Sequence, residues 1–331
     1  MDTLSLVPLR HLRTHYISMI TTAIRRPLSK LPMPNFSAFV SVIDAYLSFY
    51  FRYCGLVPLT VNIDDQTYIH FWAVNNPKPD KPNLVILHGY GADSKWQFVN
   101  QIGLLSKYFN VYAPDLIFFG KSYSKHSDRT DAFQANCVAE GLRKLGVIRY
   151  SVYGISYGGF VAYRMAEIHS DAVEKMVIAS SGITCTKEQK IKQLETVGKD
   201  FTEVLLPQKP EDLRLLVELS FSKSDPFKWV PDLIIQQMIN VLGKGHVKEK
   251  RELAQYLVQS AEDNNLRNIT QETLLVWGDK DKVFPISFAM DLQRNLGSKA
   301  RLEILKNSGH ALNMESANEL NHCIKAFILG S

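Results

Sequence analysis

A serine between two glycines is the residue of this chain best suited to do chemistry. Ser156 lies in Gly154-Ile155-Ser156-Tyr157-Gly158, after the β-branched and aromatic run 148–154 and before a helical pattern. In a sharp strand-to-helix turn the serine hydroxyl is exposed for attack, and small flanking residues avoid collisions with neighbouring backbone. An ordinary glycine-rich turn is the alternative. The strand before the motif and the helix after it favour a nucleophile.

A serine hydroxyl attacks only when a base takes its proton and an acid orients that base. His310 follows the last strand-like run, and Asp279 and Asp281 follow the run before it. In a sheet with this serine turn, the acid and the histidine are expected to follow the serine in that order, on loops after later strands. We favour Asp281 as the acid because it lies deeper in the loop, and we assign Asp279 to capping the turn.

Two backbone N–H groups are candidates to hold a developing oxyanion. His88-Gly89-Tyr90-Gly91 closes another strand-like run, and the loop after such a strand can supply one donor while the residue after the nucleophile supplies the second. We therefore predict the backbone N–H groups of Tyr90 and Tyr157 as these donors. Each is worth on the order of 3 kcal/mol. The candidates for the pocket wall are His88, Trp96, Phe118 and Phe119.

An α/β fold must position these groups. The predicted strands are 59–64, 67–74, 83–88, 109–114, 148–154, 174–180, 272–277 and 300–306. The first two form a hairpin around Asp64-Asp65-Gln66, and the others alternate with the helical patterns 95–107, 129–145, 157–169, 285–296 and 315–329. This alternation predicts a mostly parallel, eight-stranded sheet with helices on both faces.

One long stretch interrupts this alternation after the sixth strand. Four helical patterns, 187–199, 210–221, 231–242 and 247–263, follow one another without a strand. We therefore predict a core of residues 36–182 and 271–331, with residues 183–270 inserted as an all-helical lid over the carboxyl ends of the strands.

The amino-terminal part is not typical of a core element. Residues 1–35 contain one acid, Asp2, and five basic residues. They are interpreted as an extension, with an organelle transit peptide such as a chloroplast one as the alternative. Residues 36–56 are strongly apolar, but Asp44 and Arg52 interrupt them, so an amphipathic helix fits better than a membrane span. We favour its packing on the core, with peripheral membrane contact as the alternative.

Composition narrows the function classes. The chain has 46% hydrophobic and 21% charged residues and a formal charge of +5, which is typical of a globular protein with a solvated surface and gives no indication of nucleic-acid binding. No motif indicates a metal or a cofactor. Gly120-Lys121-Ser122 resembles the end of a phosphate-binding loop, but Asp115 stands where that loop needs its first glycine. The four cysteines form no pair motif, so a reducing compartment, the cytoplasm, is expected.

With these motifs in place, the chain resembles the α/β-hydrolase superfamily, and within it plant hydrolases described as monoacylglycerol-lipase-like or epoxide-hydrolase-like. The motifs that carry the resemblance are His88-Gly-Tyr-Gly, Trp96-Gln97, Asp115 with Gly120 and Ser122, Phe133-Gln134-Ala135, the Ser156 turn, Trp277-Gly-Asp-Lys-Asp281 and Gly309-His310. The resemblance implies a helical lid and the acid at Asp281. Epoxide hydrolases carry Asp at the position of Ser156, which disfavours epoxide opening here.

The expected function is therefore an esterase-like or lipase-like serine hydrolase that cleaves a carboxylic ester, and its expected partner is a small-molecule ester substrate with an apolar acyl or aryl part. Two alternatives stay open. One is a ligand-binding receptor or non-catalytic relative that keeps the fold, and the other is a hydrolase of carbon–carbon bonds that uses the same triad. The sequence does not name the substrate or the oligomeric state.

Overall fold

The computed structural model describes residues 36–186, 188–189, 201–223, 225–243, 245–259 and 269–330. The predicted extension 1–35, most of the predicted helix 187–199 and the end of the predicted helix 247–263 lie outside the described residues.

One sheet organises the described chain. Its strands are β1 (Leu56–Asn62), β2 (Thr67–Val74), β3 (Asn83–Leu87), β4 (Asn110–Pro114), β5 (Tyr123–Ser124), β6 (Tyr150–Ile155), β7 (Val173–Ala179), β8 (Glu272–Gly278) and β9 (Ala300–Leu305). They lie in the order β1-β2-β4-β3-β6-β7-β8-β9, with β5 paired to β2. The pairs that involve β2 are antiparallel and the others are parallel. The mostly parallel α/β sheet is thus confirmed.

The sheet has nine strands where the sequence predicted eight. The additional strand, β5, has only two residues, and they pair with Thr67 and Tyr68 of β2. A two-residue strand is too short for an alternating pattern to reveal it. Several strand boundaries also differ from the prediction by one to three residues, as for β1, which begins at Leu56 and not at Leu59.

Helices cover both faces of the sheet. The α-helices of the described residues are α1 (Phe36–Tyr53), α2 (Ser94–Tyr108), α3 (Asp131–Lys144), α4 (Tyr157–Ile168), α5 (Phe201–Leu205), α6 (Pro210–Ser220), α7 (Asp232–Met238), α8 (Val247–Gln259), α9 (Ile286–Leu296), α10 (Leu312–Glu315) and α11 (Ala317–Leu329). Alternate residues of β3 enter different apolar clusters, with Val85 and Leu87 on the α3–α4 side and Leu84 and Ile86 on the α2–α11 side. Side chains that alternate in this way give a strand buried on both faces.

The helix α1 packs on the core with one face, as the sequence favoured. Val40, Leu47 and Phe51 are fully buried. Asp44, one of the two charges that interrupt the apolar segment, pairs with Lys95 Nζ at 2.6 Å and accepts a hydrogen bond from Trp96 Nε1 at 3.0 Å. Both partners belong to α2, so a polar bridge ties the two helices together. No helix among the described residues is long and apolar enough to cross a bilayer.

Between β7 and β8 the described residues form helices and turns and contain no strand. The helices are α5, α6, α7 with a π-helical continuation (Ile239–Gly243), and α8. They contribute to the wall of a large cavity at the carboxyl ends of the central strands. This is where open α/β sheets bind ligands.

Candidate active site

Ser156 lies in a strained turn between β6 and α4. Its φ of 53° is in the left-handed region, which a serine adopts only when its surroundings hold it there. The Ser156 N–H donates to the Ala179 carbonyl at 2.9 Å, and Ser181 Oγ donates to the Ser156 carbonyl at 2.7 Å. Hydrogen bonds from the next strand and the residues just after it thus hold the strained residue with its hydroxyl at the cavity.

The glycines of the motif are required by close backbone approach. A Cβ on Gly154 would lie 2.1 Å from the Gly158 carbonyl oxygen, and a Cβ on Gly158 would lie 2.1 Å from the Leu87 carbonyl oxygen. No side chain fits at such distances. The absence of side chains lets the first turn of α4 approach the ends of β6 and β3, and this brings Ser156 beside the loop after β3.

The predicted base and acid meet Ser156 in one hydrogen-bonded line. Ser156 Oγ lies 2.9 Å from His310 Nε2, and His310 Nδ1 lies 3.1 Å from Asp281 Oδ2. The other oxygen of Asp281 accepts the N–H groups of Val283 and Phe284 at 2.9 and 2.8 Å. These bonds fix the carboxylate, and its side chain is fully buried.

Asp279 is placed elsewhere in the same loop. Its Oδ1 accepts the Ser308 N–H at 3.2 Å, which links the loop after β8 to the loop after β9. Asp279 therefore braces the loop that carries His310, while Asp281 contacts the imidazole. Of the two carboxyl groups that the sequence offered, Asp281 has the geometry of a histidine partner.

The two predicted oxyanion donors lie together at the cavity. Gly89, Tyr90 and Tyr157 line it next to Ser156. Neither the Tyr90 nor the Tyr157 backbone N–H donates to an acceptor among the residues that the structure describes. Gln97 shapes the first loop, because its side chain accepts the Gly89 N–H at 2.8 Å and donates to the Gly89 carbonyl at 2.9 Å. Gln97 belongs to the Trp96-Gln97 motif, but the sequence did not predict its contacts with this loop.

His88 supports the loop from below and does not line the cavity, so its prediction as a pocket residue was wrong. Its Nδ1 donates to the Gly89 carbonyl at 2.7 Å, and its Nε2 accepts the Leu116 N–H at 2.9 Å. These partners define a neutral tautomer. Full burial of the ring lowers its pKa, which keeps it uncharged.

Phe118 and Phe119 were also wrong as pocket residues, since both are fully buried in the core. The Phe119 ring packs edge-on against Tyr90, with centroids 5.1 Å apart, beneath residues 88–93, the loop that carries the predicted donor Tyr90 and is called the oxyanion loop below. Phe118 lies under Arg129, whose guanidinium carbon is 4.6 Å from the ring centre. Their apolar character alone cannot distinguish a pocket wall from the layer behind it. Trp96, the fourth candidate, does lie on the cavity wall.

The cavity above Ser156 is large and mostly apolar in its lining. Its volume is about 2150 Å³. Its wall comes from α1, the oxyanion loop, the helices between β7 and β8, and the His310 loop. Glu315 joins the last two, because its carboxylate accepts the Gly309 N–H on one oxygen and the Ser222 and Lys223 N–H groups on the other. The helical insertion is thus tied directly to the loop that carries the histidine.

Lys250 is a cavity residue that sequence reasoning missed. It lies on α8, is only 3% exposed and lines the cavity. The signal was present in the sequence, because Lys250, Leu253, Ala254 and Leu257 have the spacing of one helical face. The other three positions are apolar, so a lysine there predicts a charge directed toward the interior.

Comparison with known proteins identifies the family. A sequence model of the α/β hydrolase fold matches residues 82–317. The chain belongs to this family. A monoacylglycerol lipase of mouse, ABHD6, is 26% identical over 75% of this chain and 76% of its own length. A 2-hydroxy-6-oxononadienedioate/2-hydroxy-6-oxononatrienedioate hydrolase of a Pseudomonas species is 24% identical over 74% of this chain and 87% of its own length.

Solved structures share the fold. A putative lipase of Acinetobacter baumannii has a TM-score of 0.74 and 18% identity, with 91% of this chain and 98% of that chain covered. A bacterial membrane phospholipase A has a TM-score of 0.72 and 22% identity, with 98% and 96% covered. At this level of identity the likeness concerns the fold and not the substrate.

Proposed function

We propose that this protein is a serine hydrolase that cleaves carboxylic esters through an acyl-enzyme on Ser156. The observation that carries the proposal is the line from Ser156 Oγ through His310 to Asp281, with distances of 2.9 and 3.1 Å. A hydroxyl within hydrogen-bonding reach of an oriented imidazole is the arrangement that nucleophilic acyl transfer needs. The relatives whose names describe lipases support the same reaction class.

In the proposed reaction His310 Nε2 takes the proton of Ser156 Oγ as the oxygen attacks the ester carbonyl. The carbonyl oxygen becomes an oxyanion, which accepts hydrogen bonds from the Tyr90 and Tyr157 N–H groups. The intermediate then expels the alcohol, which receives the proton from His310. Water, deprotonated by His310, attacks the acyl-enzyme and releases the acid and Ser156. Asp281 holds the imidazole in the required tautomer throughout.

We propose an apolar acyl or aryl group for the substrate and residues 183–270 as the lid over it. The support is the wall of the cavity, where Leu213, Leu216, Val217, Phe221 and Ile234 of the inserted segment line the space that Ser156 also lines. A cavity of about 2150 Å³ exceeds the usual 300–1,000 Å³ of small-molecule pockets, so it has room for a long acyl chain. The name of the mouse relative, monoacylglycerol lipase, describes a substrate of this kind.

The experiment that tests this function is hydrolysis of p-nitrophenyl esters of increasing chain length. Ser156→Ala is measured in parallel, and a fluorophosphonate probe reports the reactivity of the serine. Turnover and labelling that both disappear in Ser156→Ala would support the proposal. We expect the wild-type protein to hydrolyse medium-chain esters faster than short-chain esters. A folded wild-type protein that neither labels nor hydrolyses any ester would overturn it and favour the receptor alternative.

A carbon–carbon bond hydrolase is the second candidate. The observation that favours it is the similarity to the Pseudomonas hydrolase, over 87% of whose length this chain aligns. The same Ser156 and His310 would serve it. Product analysis after incubation with a 2-hydroxy-6-oxo-dienoate decides between the two, because carbon–carbon cleavage yields two fragments and ester hydrolysis leaves this substrate intact.

We also propose that the outer face of α1 contacts an anionic bilayer surface. Val42, Tyr46, Phe49 and Tyr53 are exposed along this face, and Tyr46 and Tyr53 also line the cavity. An exposed apolar stripe with adjoining positive charge is typical of interfacial helices. In the sequence, residues 1–35 precede α1 and contain Arg10, Arg13, Arg25, Arg26 and Lys30 against one acid.

A further inference from the structure

Lys250 is a buried lysine in the wall of the proposed substrate cavity. Only 3% of the residue is exposed. Its Nζ lies 5.3 Å from the centre of the Phe119 ring, which packs beneath the oxyanion loop. The ammonium therefore lies in an apolar, aromatic surrounding close to the part of the cavity where the oxyanion would form.

Three sets of contacts hold the helix that carries Lys250. The Tyr90 hydroxyl donates to the Lys250 carbonyl. Arg129 Nε lies 2.9 Å from Glu252 Oε2. Leu253 and Leu257 enter the main apolar cluster. Because backbone and neighbours fix this part of α8 to the core, the position of the lysine does not depend on a bound ligand.

The Lys250 ammonium lacks a counter-ion within the described part of the chain. Among the residues that the structure describes, no oxygen accepts a hydrogen bond from Lys250 Nζ and no carboxylate lies within 4.0 Å of it. The titratable groups whose charges act on it are Asp93 on the oxyanion loop, His88 beneath that loop and His246 just before its own helix. His88 and His246 have lowered pKa values because of burial.

Asp93, the only acid of the three, is a poor counter-ion. Its side chain already accepts the Trp96 N–H at 3.1 Å as the cap of α2. Burial, together with the charge of Asp115, raises the pKa of Asp93 to about 7. A buried ammonium without a partner is unfavourable by several kcal/mol and is found mainly where a ligand or a reaction uses it.

We propose that Lys250 binds a negatively charged group of the substrate, so that the enzyme prefers esters that carry a carboxylate or a phosphate besides the apolar chain. The preference among esters rests on the proposed function, whereas the binding of an anion does not. The anion replaces the water that the ammonium lost on burial, and the apolar lining of the cavity holds the chain. Either a carboxylate on the acyl part or a phosphate on the alcohol part supplies the required charge.

The test compares binding of three single-chain ligands by calorimetry: dodecyl phosphate, dodecanoate and dodecanol. The wild-type protein is expected to bind at least one of the two anions more tightly than the alcohol, and the one bound more tightly distinguishes phosphate from carboxylate. Lys250→Met, which keeps an unbranched side chain but removes the charge, is expected to weaken binding of that anion by about tenfold or more, which is about 1.4 kcal/mol. Binding of dodecanol is expected to stay within about threefold.

Lys248→Met is the matched control. Lys248 lies on the same helix, and its side chain is 83% exposed, so its removal is expected to leave all three affinities unchanged. Lys250→Gln repeats the comparison if Lys250→Met does not fold. Equal affinities of the wild type for all three ligands, or an equal loss for anion and alcohol in both Lys250 variants, would overturn the proposal.

Binding does not require turnover, so this assay separates the two proposals. Selective anion binding through Lys250 in a protein that hydrolyses no ester would overturn the proposed hydrolase and leave the anion site standing. Ester hydrolysis together with unchanged anion affinity in Lys250→Met would support the proposed hydrolase and overturn the anion site.

Discussion

Replacing Asp281 by asparagine should remove most of the activity without changing the shape of the site. In the wild type one oxygen of Asp281 accepts the N–H groups of Val283 and Phe284 at 2.9 and 2.8 Å, and the other lies 3.1 Å from His310 Nδ1. The two N–H groups require an acceptor, so the carbonyl oxygen of the new asparagine has to stay on their side. Its NH₂ group then faces the imidazole.

An NH₂ group at that position reverses the histidine tautomer. His310 Nδ1 must accept a hydrogen bond, so the proton of the neutral ring moves to Nε2, which can no longer accept the proton of Ser156 Oγ at 2.9 Å. The same reversal in serine proteases lowers kcat by about 10⁴. This corresponds to about 5.5 kcal/mol of transition-state stabilisation. We expect a similar loss here, with KM changed little.

The assay measures kcat and KM for a p-nitrophenyl ester, with thermal unfolding to verify that each variant is folded. Asp279→Asn is the matched control. The amide carbonyl that this substitution introduces can still accept the Ser308 N–H, which the Asp279 carboxylate accepts at 3.2 Å. We expect its kcat to stay within about threefold of the wild type. The assignment of the acid would be wrong if Asp281→Asn retained about a tenth of the wild-type kcat. It would also be wrong if Asp279→Asn lowered kcat as much as Asp281→Asn does.

Three further predictions concern packing, charge and the outer surface. Gly158→Ala should lower the free energy of unfolding by about 3 kcal/mol because its Cβ meets a carbonyl oxygen at 2.1 Å, whereas Gly245→Ala, in open space, should have little effect in urea unfolding. Burial lowers the pKa of Lys250 to about 8, so raising the pH through that value should weaken anion binding relative to dodecanol; a constant ratio would contradict this. Phe49→Asp should reduce sedimentation with anionic vesicles, whereas Ile148→Asp, 71% exposed before β6, should not.

Local rules of backbone geometry made the turn that holds Ser156 predictable. The glycines around Ser156 are required because a Cβ at either position would lie 2.1 Å from a carbonyl oxygen of the same turn or of the neighbouring strand, and the motif therefore appears in the sequence as a short pattern. The alternation of strands and helices was predictable for the same reason. The hydrophobic period of a strand or a helix depends on a few consecutive residues. The order of Ser156, Asp281 and His310 then followed from the order of the strands.

The choice between neighbouring residues needed the tertiary structure. Asp279 and Asp281 are two positions apart in one loop, and only the folded chain places one at Ser308 and the other at His310. Phe118 and Phe119 were predicted as residues of an apolar pocket, but packing against Arg129 and Tyr90 puts them behind the cavity wall.

The role of Lys250 could not be predicted from the sequence either. Its place on an apolar helical face was visible, but its neighbours come from distant parts of the chain: Phe119 contacts its ammonium, and Tyr90 bonds its carbonyl. Sequence patterns determine which side of a helix turns inward, because that depends on residues three and four apart. What the inward side meets depends on how elements distant in the chain pack together, and only the tertiary structure decides that.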